Sequence, residues 1–136
     1  EIEEFASRRI PGIQVHKSVG RYAYHGLLNV CGKVGRGVCV GNSSSGIKET
    51  PALGCPAVDI GPRQKGRLRT DNVIEVGYDR HSIVEGVKKA LWDEDFRYRC
   101  RHCENPYGLG DAGKKISEVL ATVELGPRLI QKRCTI

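Results

Sequence analysis

Short apolar runs alternate along this chain with segments whose apolar residues recur at helical spacing. GVCVG (37–41), PAVDI (56–60) and NVIEV (72–76) are brief, rich in valine and isoleucine, and set off by glycine or polar neighbours. Runs of that kind suit strands buried on both faces of a parallel sheet. GIQVH (12–16) predicts one more strand ahead of them. Between the runs, RYAYHGLLNVCGKV (21–34) places Tyr24, Leu27, Leu28 and Cys31 on one helical face, and GIKETPAL (46–53) predicts a short helix. Pro51 lacks an N–H but is tolerated in or just past a first turn. DRHSIVEGVKKALWD (79–93) is the most regular helix, with Ile83, Val84, Val87, Ala90 and Leu91 on one face and Asp79 or Ser82 available as its cap. Residues 94–102 extend the helical structure, and NPYGLGD (105–111) is a connector. Asp111 is then expected to cap a last helix with a stripe of Ile116, Val119, Leu120 and Val123.

Strands separated by helices of this length imply right-handed βαβ crossovers. The expected fold is α/β, a Rossmann-like three-layer arrangement with a parallel sheet covered on both faces. Ligands of such sheets bind at the carboxyl ends of the strands. GNSSSG (41–46) and GPRQKGR (61–67) both follow strands directly and are therefore expected on one rim.

With 136 residues, the chain is long enough for one domain, read here as spanning 1–136. No apolar run approaches the roughly 20 residues of a membrane span, and the first thirty residues lack the plan of a signal peptide. The chain begins at Glu1 and contains no methionine, so a fragment is expected rather than a processed protein. Its net charge of +6 favours anionic partners. Arg63, Lys65, Arg67 and Arg69 crowd one loop, yet no aromatic residue interleaves them, which counts against a nucleic-acid platform. Among six cysteines, Cys39 and Cys55 read as small buried hydrophobes. Cys100 and Cys103 form CRHC, but a second ligand pair at zinc spacing is missing. Reduced thiols, a cytoplasmic location and no metal or cofactor are the expectation.

The serines 43–45 admit two readings. Serine caps helices, and a serine-rich helix start closed by a glycine also suits a phosphate, since unpaired N–H groups and hydroxyls converge there. Glu49, one turn later, is either a first-turn acid favoured by the helix dipole or an acceptor for paired hydroxyls such as those of a ribose. The arginines of 63–69 are either a solvated basic loop or planar donors for phosphate oxygens. Of the histidines, His25 is the one expected near the cleft, and no spacing ties any histidine to a carboxylate.

Taken in order, GNSSSGIKETPALGCPAVDIGPRQKGR, DNVIEV and NPYGLGDAGKKI resemble the C-terminal half of the UDP-N-acetylglucosamine 2-epimerases, from about residue 13 to the end. The serine-rich turn and RQxGR look more like the hydrolysing branch. The resemblance implies one lobe of a two-lobe glycosyltransferase-B arrangement, with the N-terminal lobe absent here. It implies that Ser43 and Ser44 with the adjoining amides hold the diphosphate, that Ser45 and the helix-start Gly46 also belong to the UDP site, that Glu49 binds the uridine ribose and that Arg63 contacts the phosphates. Arg67 and His25 are further candidates. Thr50 stands where the other branch carries a second acid.

The reaction so implied is elimination of UDP followed by addition of water to release N-acetylmannosamine, in sialic acid or cell-surface polysaccharide synthesis. Its proton-transfer groups would lie largely in the other lobe, leaving this chain alone inactive. A UDP-sugar substrate, no nucleic acid, no membrane and a homo-oligomeric full-length protein complete the expectation. The alternative is the donor-binding lobe of a UDP-sugar glycosyltransferase, against which RQxGR counts.

Overall fold

A computed structural model describes residues 4–5, 8, 10–108 and 110–130. Its centre is a parallel sheet in the order β1 (Cys39–Gly41), β2 (Ala57–Ile60), β3 (Val73–Val76). Val58 of β2 stands opposite Val40 on one side and Ile74 on the other. Helix α1 (Gly20–Asn29) precedes the sheet and widens into a π-helical turn at Val30–Val34. The connection from β1 to β2 holds α2 (Ser45–Lys48) and a 3₁₀ turn at Pro51–Leu53. A second 3₁₀ turn, Pro62–Gln64, opens the loop after β2. Beyond β3 come α3 (Arg80–Trp92), α4 (Glu94–His102), α5 (Ala112–Thr122) and α6 (Pro127–Ile130).

Side chains alternate across a strand, and the central strand β2 uses both faces. On one, Gly46 of α2 approaches Ala57; on the other, Gly86 of α3 packs against Val58, Ile74 and Val76. A methyl group at Gly86 would lie 3.0 Å from Val76 Cγ1, so glycine lets α3 approach the sheet closely. Val58, Ala90, Phe96 and Cys100 form the core on this face. Gly32 has a similar role in the π-helical turn, where a Cβ would fall 2.2 Å from the Leu53 carbonyl oxygen. No glycine-free sequence fits that contact without moving the backbone.

Asp79 caps α3, accepting from the Ser82 N–H at 2.8 Å, and Asp93 caps α4 in the same way through Phe96. Four expectations need correction. Residues 12–16 form no strand: nothing among the described residues pairs with them, and Ile13 and Val15 are about half exposed. Asp111 occupies the cap position of α5 without a capping bond, because its carboxylate pairs with Lys115 at 2.7 Å. The stripe of α5 does not enter the core, since Ile116, Val119 and Leu120 are all exposed. Cys55 is fully buried, whereas Cys39 is only half-buried. Among the described residues no helix is long and apolar enough to cross a membrane.

Candidate functional site

The site lies where β1 and β2 end. At Gly41 the backbone turns with φ of +150°, a conformation that favours glycine, and enters Asn42 and the serines. The capping reading of these serines holds only for Ser43, whose Oγ accepts the Ser45 N–H at the helix start at 3.4 Å. Ser44 sits at the cap position of α2 but its side chain makes no capping bond. Ser43 is exposed. Ser45 is turned to other partners, described below. A Cβ on Gly46 would meet only Ala57 Cβ, at 3.9 Å. Packing within the chain therefore does not require glycine there, and the space over it is open.

The loop after β2 reaches this turn, as its shared rim predicts. Gln64, fully buried, donates from Nε2 to the Asn42 carbonyl at 2.6 Å, and Arg63 donates from Nη1 to the same oxygen at 2.8 Å. One backbone acceptor thus draws the arginine loop against the serine turn. The other cations divide. Arg69 is spent inside the fold, pairing with the buried Asp59 at 3.4 Å and with Glu75. Arg67 is exposed and makes no ion pair among the described residues. From behind, the connector braces both pieces: Asn105 donates to the Lys48 carbonyl at 3.1 Å and Tyr107 to the Leu68 carbonyl at 3.0 Å.

A second set of side chains gathers on Glu49. Its Oε2 lies 3.1 Å from Ser45 Oγ and 3.0 Å from His25 Nε2, and Tyr24 Oη lies 2.7 Å from Ser45 Oγ. An ionised carboxylate only accepts. Ser45 therefore donates to Glu49, Tyr24 donates to Ser45, and His25 donates through Nε2. Burial pushes the Tyr24 phenol above its ordinary range, as it does the neighbouring Cys39 thiol, so both stay protonated at neutral pH. Beside Glu49 opens a cleft of about 670 Å³, lined by His16, Ser18, Arg21, Tyr24 and His25 among others. The sequence hides the pairing of His25 with Glu49, which lie 24 positions apart. Tyr24 is legible there only as an apolar helix position. Arg21 carries no signal in the sequence, and His16 is legible only as a titratable residue without a spaced partner.

Thr50 is fully buried and donates to the Gly46 carbonyl at 2.7 Å, while Asn72 donates to Thr50 Oγ1 and to the Cys55 carbonyl, each at 2.8 Å. Thr50 is thus a strut under the serine turn, out of reach of any ligand. In the CRHC segment, Cys100 belongs to the core and the Cys103 thiol donates to the Cys100 carbonyl at 3.2 Å. No cluster of three or more metal-ligating side chains occurs among the described residues.

Comparison with known proteins bears on this arrangement. The chain is 35% identical over 95 residues to the hydrolysing UDP-N,N'-diacetylbacillosamine 2-epimerase of Legionella pneumophila, covering 70% of this chain and 24% of that protein. It is 43% identical over 68 residues to polysialic acid biosynthesis protein P7 of Escherichia coli, covering 50% of this chain and 17% of that protein. With the hydrolysing GDP/UDP-N,N'-diacetylbacillosamine 2-epimerase of Campylobacter jejuni it shares 34% identity over 74 residues, 54% of this chain and 18% of that protein. The matched stretch thus spans less than a quarter of the length of each of these relatives. The model of the UDP-N-acetylglucosamine 2-epimerases matches residues 1–121, and with this match the chain belongs to the UDP-N-acetylglucosamine 2-epimerase family.

Proposed function

We propose that this chain is the UDP-binding lobe of a hydrolysing UDP-N-acetylglucosamine 2-epimerase, one Rossmann-like half of a two-lobe, glycosyltransferase-B-type enzyme. The diphosphate lies over Gly46 between the hydroxyls of Ser43 and Ser44 and the guanidinium of Arg63. The ribose diol meets Glu49, and the cleft beside it receives the rest of the nucleoside. The observation that carries this reading is the Asn42 carbonyl, which takes hydrogen bonds from both Arg63 and Gln64 and so holds a cation beside the serine turn. The hydrolysing relatives support the choice of branch.

In the proposed reaction, a base of the other lobe removes the proton from C2 while the C1–O bond breaks and UDP leaves with its electron pair. Water then adds across the resulting double bond, placing hydroxyl on C1 and a proton on C2 with inverted configuration. The products are N-acetylmannosamine and UDP. Here, this lobe acts on the leaving group. Negative charge grows on the diphosphate as C1–O breaks, and donors already aimed at it lower the barrier without reorganising.

Calorimetric titration of the chain with UDP and with inorganic pyrophosphate tests the reading. UDP is expected to bind more tightly, and Glu49→Ala is expected to weaken UDP by about tenfold while sparing pyrophosphate, the loss of a hydrogen bond to a charged acceptor. Equal losses for both ligands would remove Glu49 from the ribose and overturn the assignment.

A further inference from the structure

Glu49 is more constrained than a free surface carboxylate, and the constraint specifies how it meets a ligand. A carboxylate offers about four lone-pair sites, two on each oxygen. Oε2 already receives the Ser45 hydroxyl at 3.1 Å and His25 Nε2 at 3.0 Å, which fills its capacity. The Ser45 hydroxyl is itself oriented, since its one hydrogen goes to Glu49 and its oxygen takes the Tyr24 hydroxyl at 2.7 Å. What remains is Oε1, with room for two donors. Glu49 and His25 are each roughly 40% exposed at the side chain, so this oxygen is available from the cleft that both residues line.

We infer that His25, with the Tyr24–Ser45 pair, is a positioning residue that locks one oxygen of Glu49 and leaves the other as a single acceptor for both hydroxyls of a vicinal diol. The inference rests on the proposed ribose contact of Glu49 and adds what sets its selectivity. Without His25 the carboxylate regains rotational freedom about its last torsion, and either oxygen can take one hydroxyl at a time. Discrimination between a ribose and its 2'-deoxy counterpart then falls, because no fixed atom demands both hydroxyls. Charge around the group is mixed: Arg21 and His16 face the same cleft, and Lys48 immediately precedes Glu49 at the end of α2. Replacing the histidine with a neutral donor therefore separates geometry from charge. Glutamine reaches with its amide nitrogen to nearly the place of a histidine Nε2 and donates as that atom does.

The test measures UDP, 2'-deoxy-UDP and pyrophosphate affinities by calorimetry for the unaltered chain, His25→Leu, His25→Gln, Ser45→Ala and Glu49→Ala. The unaltered chain is expected to prefer UDP over 2'-deoxy-UDP by about tenfold. His25→Leu and Ser45→Ala should each reduce that ratio to about threefold or less with pyrophosphate affinity unchanged, and His25→Gln should restore it. A preference that survives in His25→Leu while Glu49→Ala still selectively loses UDP would overturn the locking role and leave the ribose contact standing. Glu49→Ala with no selective loss of UDP would overturn both. Failure of His25→Gln to recover the ratio would also overturn the lock, since donation to Oε2 is all the inference asks of His25. A fall in pyrophosphate affinity alongside the ratio would mean that the site as a whole had been disturbed, and would count against a role confined to Glu49.

Discussion

Replacing Arg97 tests how the fold holds the strand that leads to the site. The residue is 2% exposed, and its guanidinium donates to four backbone carbonyls: Gly35 at 2.9 Å, Cys31 and Ala90 at 3.1 Å, and Gly37 at 3.2 Å. No carboxylate pairs with it among the described residues. Three of these acceptors belong to the exit of the π-helical turn, which runs straight into β1, and the fourth is near the end of α3. Carbonyls at helix ends carry partial negative charge, so the cation is met by dipoles in place of a counter-ion.

Each hydrogen bond to a charged group contributes roughly 1.5–3 kcal/mol, a gross gain on the order of 6–12 kcal/mol for the four. Desolvating the guanidinium offsets several kcal/mol of it. Arg97→Met keeps much of the volume, removes the desolvation cost and takes the charged donor from all four carbonyls, of which Cys31 keeps the Gly37 N–H at 3.2 Å. The net destabilisation expected is about 3 kcal/mol, since a buried carbonyl left without a partner costs roughly 1–3 kcal/mol. With a urea dependence of about 1.5 kcal/mol per molar, the unfolding midpoint falls by about 2 M. Arg97→Lys recovers less than half of this, because a single ammonium cannot reach carbonyls spread around a planar fork. Equilibrium urea unfolding followed by circular dichroism reads both variants. A midpoint for Arg97→Met within about 0.3 M of the unaltered chain would refute the reasoning, since it would mean that desolvation cancels all four bonds.

Asn72→Ala removes both donors that hold Thr50 and the Cys55 carbonyl, and is expected to cost about 2 kcal/mol in the same urea assay, with UDP affinity falling as the strut beneath Gly46 loosens. Arg63→Ala should weaken UDP and pyrophosphate alike, by about tenfold each in calorimetry; an unchanged pyrophosphate affinity would place Arg63 outside the diphosphate site. Burial pushes the thiols of Cys55 and Cys100 up to about 12. Both are held above their unfolded values, so their stabilising contribution is complete below the ordinary thiol range and is lost as pH rises through it toward 12. Thermal unfolding scanned from pH 8 to pH 11 should show this loss, and Cys100→Ala should be less stable at pH 8 yet show a shallower decline.

Periodicity alone determined the three central strands, the α3 helix and the meeting of two loops on one rim, because a parallel sheet with crossover helices puts every strand's carboxyl end on the same edge. That Gly46 and Arg63 lie in the turns after β1 and β2 was legible for the same reason, whereas the bond from Arg63 to the Asn42 carbonyl was not. Residues 12–16 show the limit of such reading. Alternation marks a possible strand, but a strand exists only where a neighbour accepts its hydrogen bonds, and that neighbour is a property of the whole fold.

The use of each side chain was likewise decided in three dimensions. Arg69 looked like a companion of Arg63 and is instead bound to Asp59 and Glu75. Ser45 looked like one more hydroxyl for a phosphate and is a link between Tyr24 and Glu49. Arg97 gave no sign in the sequence of being buried, because its partners are backbone carbonyls, which every residue possesses and no residue letter reveals. Hydrophobic spacing is a local quantity and survives in the order of the letters. A hydrogen-bond partner is fixed by which segments fold against each other, so His25 and Glu49 acquired their relation only when α1 packed beside the serine turn.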